Sequence, residues 1–131
     1  MKVVGEGENH RVAVDIAKNR LYLYFRGEMM KYNTFKDLPK QVQEGCRLLS
    51  HGFTDLTDFR EVAKLGLPDL VREVQQVLQA ADVRKVAIVW SQDGFSKWVL
   101  DRSAEEVGKT YAEKRRNFVS KAEAEEWLDK S

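Results

Sequence analysis

Apolar residues recur along this chain with two periods, and the switches between them mark its elements. Arg11 to Ile16 alternate, with Val12, Val14 and Ile16 on one side and Ala13 and Asp15 on the other, which predicts a strand with one apolar face. Turn-forming residues Ala17-Lys-Asn-Arg20 separate it from Leu21-Tyr-Leu-Tyr-Phe25. So short a connection makes the two strands an antiparallel hairpin. Both faces of the second strand are apolar or aromatic, so helices should cover it on both sides.

Gly27 to Asn33 reads as a loop. Beyond it Phe35, Leu38, Val42, Cys46 and Leu49 recur at helical spacing, with Thr34 and Asp37 as a capping pair and Pro39 tolerated in the first turns. Ser50-His51-Gly52 ends that helix. Phe53 to Phe59 predicts a central strand whose carboxyl end opens into a loop. A second helix starts at Pro68, a residue suited to a first helical position, and carries an apolar stripe through Leu67, Leu70, Val71, Val74, Val77, Leu78 and Ala81. The continuous run Val86-Ala-Ile-Val-Trp90 has the length of a strand and predicts one buried on both faces.

A turn at Ser91-Gln-Asp-Gly94 leads to a third helix near Phe95, expected to bury Phe95, Trp98 and Val99. Arg115 to Val119 is a short last strand. Ser120 and Glu123 then form a capping box for a final helix burying Ala124, Trp127 and Leu128. The order β-β-α-β-α-β-α-β-α describes an α/β sandwich with helices packed on a mostly parallel sheet that carries an antiparallel N-terminal hairpin.

Composition narrows the picture without redirecting it. At 131 residues the expectation is a single domain over 1–131, burying roughly two thirds of its unfolded surface. Its 22 Lys and Arg against 21 Asp and Glu leave a net charge of +1, so no overall field draws the chain to nucleic acid or anionic lipid. No stretch has the roughly 20 apolar residues of a membrane span, nor do the first ten form the apolar core of a signal peptide, so the expected location is the cytoplasm. The single cysteine, Cys46, excludes an intramolecular disulfide and a Cys-rich metal site.

Laid out in this way, the chain resembles the STAS domain family, the anti-sigma-factor antagonists and their relatives, and in particular its SpoIIAA-like bacterial branch. The opening hairpin, Asp58-Phe-Arg-Glu-Val62 at the end of the central strand, the Pro68 helix and Val86-Ala-Ile-Val carry the resemblance. The closing Glu123-Ala-Glu-Glu-Trp-Leu128 is similar to an ending common in that branch. The resemblance implies a protein-interaction or regulatory module. Lipid-carrying CRAL/TRIO domains share a similar architecture, which implies the alternative of a small or lipid-like ligand. Regulatory STAS members accept phosphate on a serine of Asp-Ser-Ser-Gly-Leu at the start of the second helix. The matching stretch here is Gly66-Leu67-Pro68-Asp69-Leu70, and no hydroxyl side chain lies between Asp58 and Trp90. A phosphorylation switch at that helix is therefore chemically excluded.

Chemistry-bearing residues are sparse. His10 and His51 have no spacing that suggests a metal; His10 is expected in a floppy terminus and His51 in a turn. Cys46 lies on an apolar stripe and reads as a buried, inert thiol. No phosphate loop, nucleophile elbow or metal motif occurs, so neither catalytic residue, metal nor cofactor is expected. In open α/β sheets ligands gather beyond the carboxyl ends of parallel strands. That rule selects Asp58 and Arg60, Lys64 in the adjoining loop, and Ser91, Gln92 and Asp93 after the next strand, with Arg60 and Lys64 suited to an anion. The basic cluster Lys109, Lys114, Arg115 and Arg116 near Tyr111 interleaves with acidic residues, so it reads as a solvated helix end and nucleic acid is disfavoured. The partner expected is a protein. A second copy of the chain, or a small anionic or apolar ligand, stands behind it.

Overall fold

A computed structural model describes residues 1–91 and 97–130, and within the second stretch the side chains from residue 101 onward. Six strands form one sheet in the order of the sequence: β1 (Lys2–Glu6), β2 (His10–Asp15), β3 (Arg20–Met29), β4 (Thr54–Leu65), β5 (Lys85–Val89) and β6 (Arg115–Phe118). The first three are antiparallel, and β3 through β6 are parallel. The helices are α1 (Leu38–Arg47), α2 (Pro68–Ala80), α3 (Lys97–Val107), α4 (Lys109–Lys114) and α5 (Lys121–Asp129). The expected fold class is thus the observed one, with two additions. The N-terminal segment is a paired edge strand, β1, and the third helix is broken into α3 and α4 at Gly108, whose φ of 136° no ordinary side chain adopts readily.

Three boundaries differ from expectation, each for a local reason. Gly27 to Met29 continues β3 because β4 runs on beside it to Leu65, pairing Arg26 with Glu61, Gly27 with Val62 and Met29 with Leu65. Neither segment alternates in sequence; the pairing between them makes both strands. Tyr32–Phe35 forms a 3-10 turn, so α1 begins at Leu38, and its cap position, Asp37, makes no side-chain capping bond. Ile16 lies in the turn after β2 and is exposed, instead of sharing the buried face of Val12 and Val14. By contrast α2 starts at Pro68, and Ser120 Oγ accepts from the Glu123 backbone N–H at 3.2 Å, both as expected. The proposed start at Phe95 lies outside the described residues, as does the burial of Trp98 and Val99.

The two faces of the sheet are covered unequally. On one, Val12, Val14, Leu21, Leu23, Phe25, Phe59, Val86 and Ile88 pack beneath α1, α2 and the Ala104–Tyr111 region into the main core. Phe59 stacks between Phe25 and Trp90 with ring centres 5.0 Å from each, holding the carboxyl ends of β3, β4 and β5 together. On the other face Ala13, Tyr22, Leu56, Ala87 and Val89 meet Ala124 and Leu128 of α5. Tyr22 is buried there, whereas Tyr24, two residues along, stays half-exposed. Coverage on both sides therefore holds for only part of β3.

Arg20 pins α5 in place. Its guanidinium is 2% exposed and donates to Thr54 Oγ1 (2.9 Å), Glu125 Oε1 (2.7 Å) and Asp129 Oδ1 (2.8 Å), while the Tyr22 hydroxyl donates to Glu125 at 2.7 Å. Every arm of the fork thus has an acceptor, which burial of a guanidinium requires. Arg20→Met should cost about 3 kcal/mol in urea unfolding, because Glu125 keeps its charge in a half-buried place without its main partner. A loss below about 1 kcal/mol would mean that α5 is held by its apolar contacts alone.

Candidate functional site

Asp58 and Arg60 meet where β4 passes the end of β5. Between the Tyr24–Asp58 and Arg26–Glu61 pairs β4 carries one residue more than β3, a bulge that turns Asp58 and Arg60 toward each other. The Asp58 carboxylate accepts from the Arg60 backbone N–H (3.0 Å), Nε (3.0 Å) and Nη2 (2.8 Å). This bidentate pair raises the Arg60 pKa, and it fixes a buried carboxylate beside an exposed guanidinium. Lys64 lies further along β4 itself and not in a loop, with Nζ 3.8 Å from Glu28. Ser91 lies two residues past the end of β5, after Trp90, and is exposed. Gln92 and Asp93 lie outside the described residues. Of the six residues selected by the strand-end rule, the fold joins Asp58 to Arg60 and strings Lys64 along the same strand.

Three other features had little or no signal in the sequence. His10 is no terminal straggler: it sits in β2, 4% exposed, with Nε2 2.7 Å from Gln41 Oε1 and its ring against Phe35. Asp55 lies fully buried on the helix-covered face of β4. Its Oδ2 accepts from Thr57 Oγ1 at 2.6 Å, and Oδ1 has no hydrogen-bond partner among the described residues. The alternation Phe53, Asp55, Thr57, Phe59 was the available clue, since it places both polar residues on a core face. Finally, Arg11, Tyr24, Arg26 and Lys121 surround an open cleft on the α5 side of the sheet, together with Asp58. Only strand register brings residues so distant in sequence to one place.

The other candidate groups are committed elsewhere. Burial, and secondarily the charge of Asp55, pushes the Cys46 thiol up to about 12, so it stays protonated at neutral pH. Lys114 lies 3.5 Å from Asp82, Arg115 pairs with Asp101, and Arg116 stacks over Phe118 and Trp127, while Tyr111 is buried in the core. The basic cluster thus points in several directions and makes no continuous face. An interior space of about 30 Å³, bordered by Thr57, Gln75, Tyr111 and apolar side chains, has room for about one water. Among the described residues no group of three or more His, Cys, Asp or Glu side chains is placed to hold a metal ion, and no helix is long and apolar enough to cross a membrane.

With this geometry in view, comparison with known proteins bears on the fold. No family model and no curated protein matches the chain. A solved structure, an uncharacterised protein of the DUF3478 family with a SpoIIAA-like fold from Shewanella loihica PV-4, is similar with a TM-score of 0.56 and 18% identity. The match covers 95% of this chain and 99% of that one. The chain has a SpoIIAA-like α/β fold, in keeping with the STAS resemblance read from its sequence.

Asp55 makes the stability of this fold depend on pH. Burial raises its pKa from 3.8 to about 7, against the opposing hydrogen bond from Thr57. Between those values the folded chain holds a proton that the unfolded chain has lost, so stability falls as pH rises from about 4 to about 7 and levels off above. Thermal unfolding at pH 5 and pH 8 should show a lower midpoint at pH 8. Asp55→Asn should remove most of that difference by raising the midpoint at pH 8, and an unchanged difference would assign the dependence to other groups.

Proposed function

We propose that this chain is a non-enzymatic interaction module of the SpoIIAA-like type that binds a protein partner through the projecting ends of β3 and β4. One observation carries the reading. β5 pairs with β4 only from Thr54 to Asp58, whereas β3 stays paired with it as far as Leu65. From Arg60 to Lys64, β4 is therefore paired on one side only among the described residues, and Arg60, Glu61, Ala63 and Lys64 are exposed. A two-stranded arm with unpaired backbone groups suits docking of a partner strand or loop. The Asp58–Arg60 pair at its base gives it a fixed geometry before any partner arrives.

The same reading accounts for the second helix. STAS regulators of the phosphorylated kind switch at its first turn, but here that turn is Pro68-Asp69-Leu70 and carries no hydroxyl. Recognition through the arm needs no covalent switch. A lipid-like occupant of the interior is less favoured, because a space of about 30 Å³ would have to open at the expense of core packing.

Photocrosslinking tests the reading directly. A photoreactive amino acid at position 61, on the arm, should trap one defined protein in living cells of the source organism, while the same group at exposed position 126 of α5 should not. Lys64→Glu, on the arm but away from the Asp58–Arg60 pair and exposed beside Glu28, should weaken that adduct severalfold without lowering the unfolding midpoint by more than a few degrees. An adduct indifferent to this charge reversal, or none from position 61, contradicts it.

A further inference from the structure

The side of the sheet that α5 leaves bare holds a second feature, separate from the arm. Register aligns Arg11, Tyr24 and Asp58 in one row across β2, β3 and β4, and Ala13, Tyr22 and Leu56 in the next. With Met1, Arg26 and Lys121 these residues border an open cleft of about 360 Å³. That lies within the roughly 300–1,000 Å³ of small-molecule sites and is too small to enclose a folded partner.

Its charge is unbalanced. Arg11, Arg26 and Lys121 face one carboxylate, Asp58, which Arg60 already holds through two nitrogens. Arg26 gives its Nε to the Glu8 carbonyl at 3.0 Å, and Lys121 lies 5.9 Å from the Tyr22 ring centre. Among the described residues neither has a carboxylate within 4.0 Å. Arg11 reaches Glu6 at 3.5 Å, with both side chains about half in solvent, a contact of little strength. Three cations thus converge on one hollow in a chain whose net charge is only +1. Beneath them Ala13, Tyr22 and Leu56 are buried against α5, with Tyr22 bonded to Glu125, so the base of the cleft is fixed before a ligand arrives. The Tyr24 ring forms a half-exposed wall.

We infer that this cleft binds a small organic anion. Arg11, Arg26 and Lys121 hold its carboxylate or phosphate, and a flat apolar body lies against the half-exposed Tyr24 ring. Guanidinium forks match the planar or tetrahedral oxygens of either head group. A bare inorganic anion would leave the Tyr24 ring in water, and a neutral aromatic would leave the cations unanswered. The site does not depend on the arm binding a protein, and neither reading falls with the other.

The test is titration of the isotopically labelled full chain, followed by amide chemical shifts at low ionic strength. The probes are 1-naphthyl phosphate, 1-naphthoate, inorganic phosphate and 2-naphthol. At least one naphthyl anion should give saturable shifts at Ala13, Tyr22, Tyr24 and Leu56, and whichever binds tighter identifies the head group. Inorganic phosphate and 2-naphthol should each bind about tenfold more weakly or worse, since each offers half of the contacts. Arg26→Gln with Lys121→Gln should weaken the naphthyl anion about tenfold while keeping the dispersion of the spectrum. Arg11→Gln, at an exposed position, gives the same readout should the double variant unfold. Saturation at other amides, no saturable shift with either naphthyl anion, or affinity unchanged in these variants would overturn the inference.

Discussion

A right-handed crossover between neighbouring parallel strands puts its helix on a fixed side of the sheet as long as the strands advance in one direction. From β3 to β6 this chain advances without reversing, so α1, α2 and the α3–α4 pair all fall on one face. Only a helix that follows the last strand can reach the other face, and α5 is that helix. It runs along β3, with Lys121 by Tyr22 and Asp129 by Arg20, and is about 10–12 Å wide, while six strands at about 4.8 Å make a sheet about 24 Å across. α5 therefore covers only part of that face, and Arg20 decides which part. By tying Glu125 and Asp129 to β3 and β4, it sets α5 over Leu56, Ala87 and Val89 and leaves Arg11, Tyr24 and Arg26 open.

The same topology sets the strand ends apart. β4 has parallel neighbours on both sides up to Asp58, and beyond it the bulge and the Asp58–Arg60 pair carry the strand on beside β3 alone. Behind this point the Phe25–Phe59–Trp90 stack fills the core, so the bend is braced from the apolar side as Arg60 braces it from the polar side. The arm and the cleft share Asp58 and Tyr24 at their border, yet they offer different chemistry: unpaired backbone in one, and cations over an aromatic floor in the other.

Much of the fold was legible because local signals agreed with tertiary ones. Pro68 and the stripe behind it, the Val86-Ala-Ile-Val run and the Ser120 cap each name an element that the fold then uses. What escaped reading was made by pairing. Lys2 to Glu6 has two apolar residues and a glycine, and becomes a strand only because β2 lies alongside. Glu61 to Leu65 looks like a polar loop until β3 is placed next to it. For the site, a rule about strand ends found Asp58 and Arg60, whose contact is local. It could not find Arg11, Arg26 and Lys121, which belong to three elements and meet only through register and the seating of the last helix.

That unequal cover is best tested by the solvent accessibility of individual side chains on the α5 face, read from the relaxation that a neutral, soluble gadolinium chelate induces in their proton signals. The expected result is strong relaxation at Arg11, Tyr24 and Arg26 and little at Leu56, Ala87 and Ala124. Equal protection across both groups would mean that something else covers the β1–β3 side, and the open cleft would not exist. Equal relaxation would mean that Arg20 does not hold α5 where its hydrogen bonds place it.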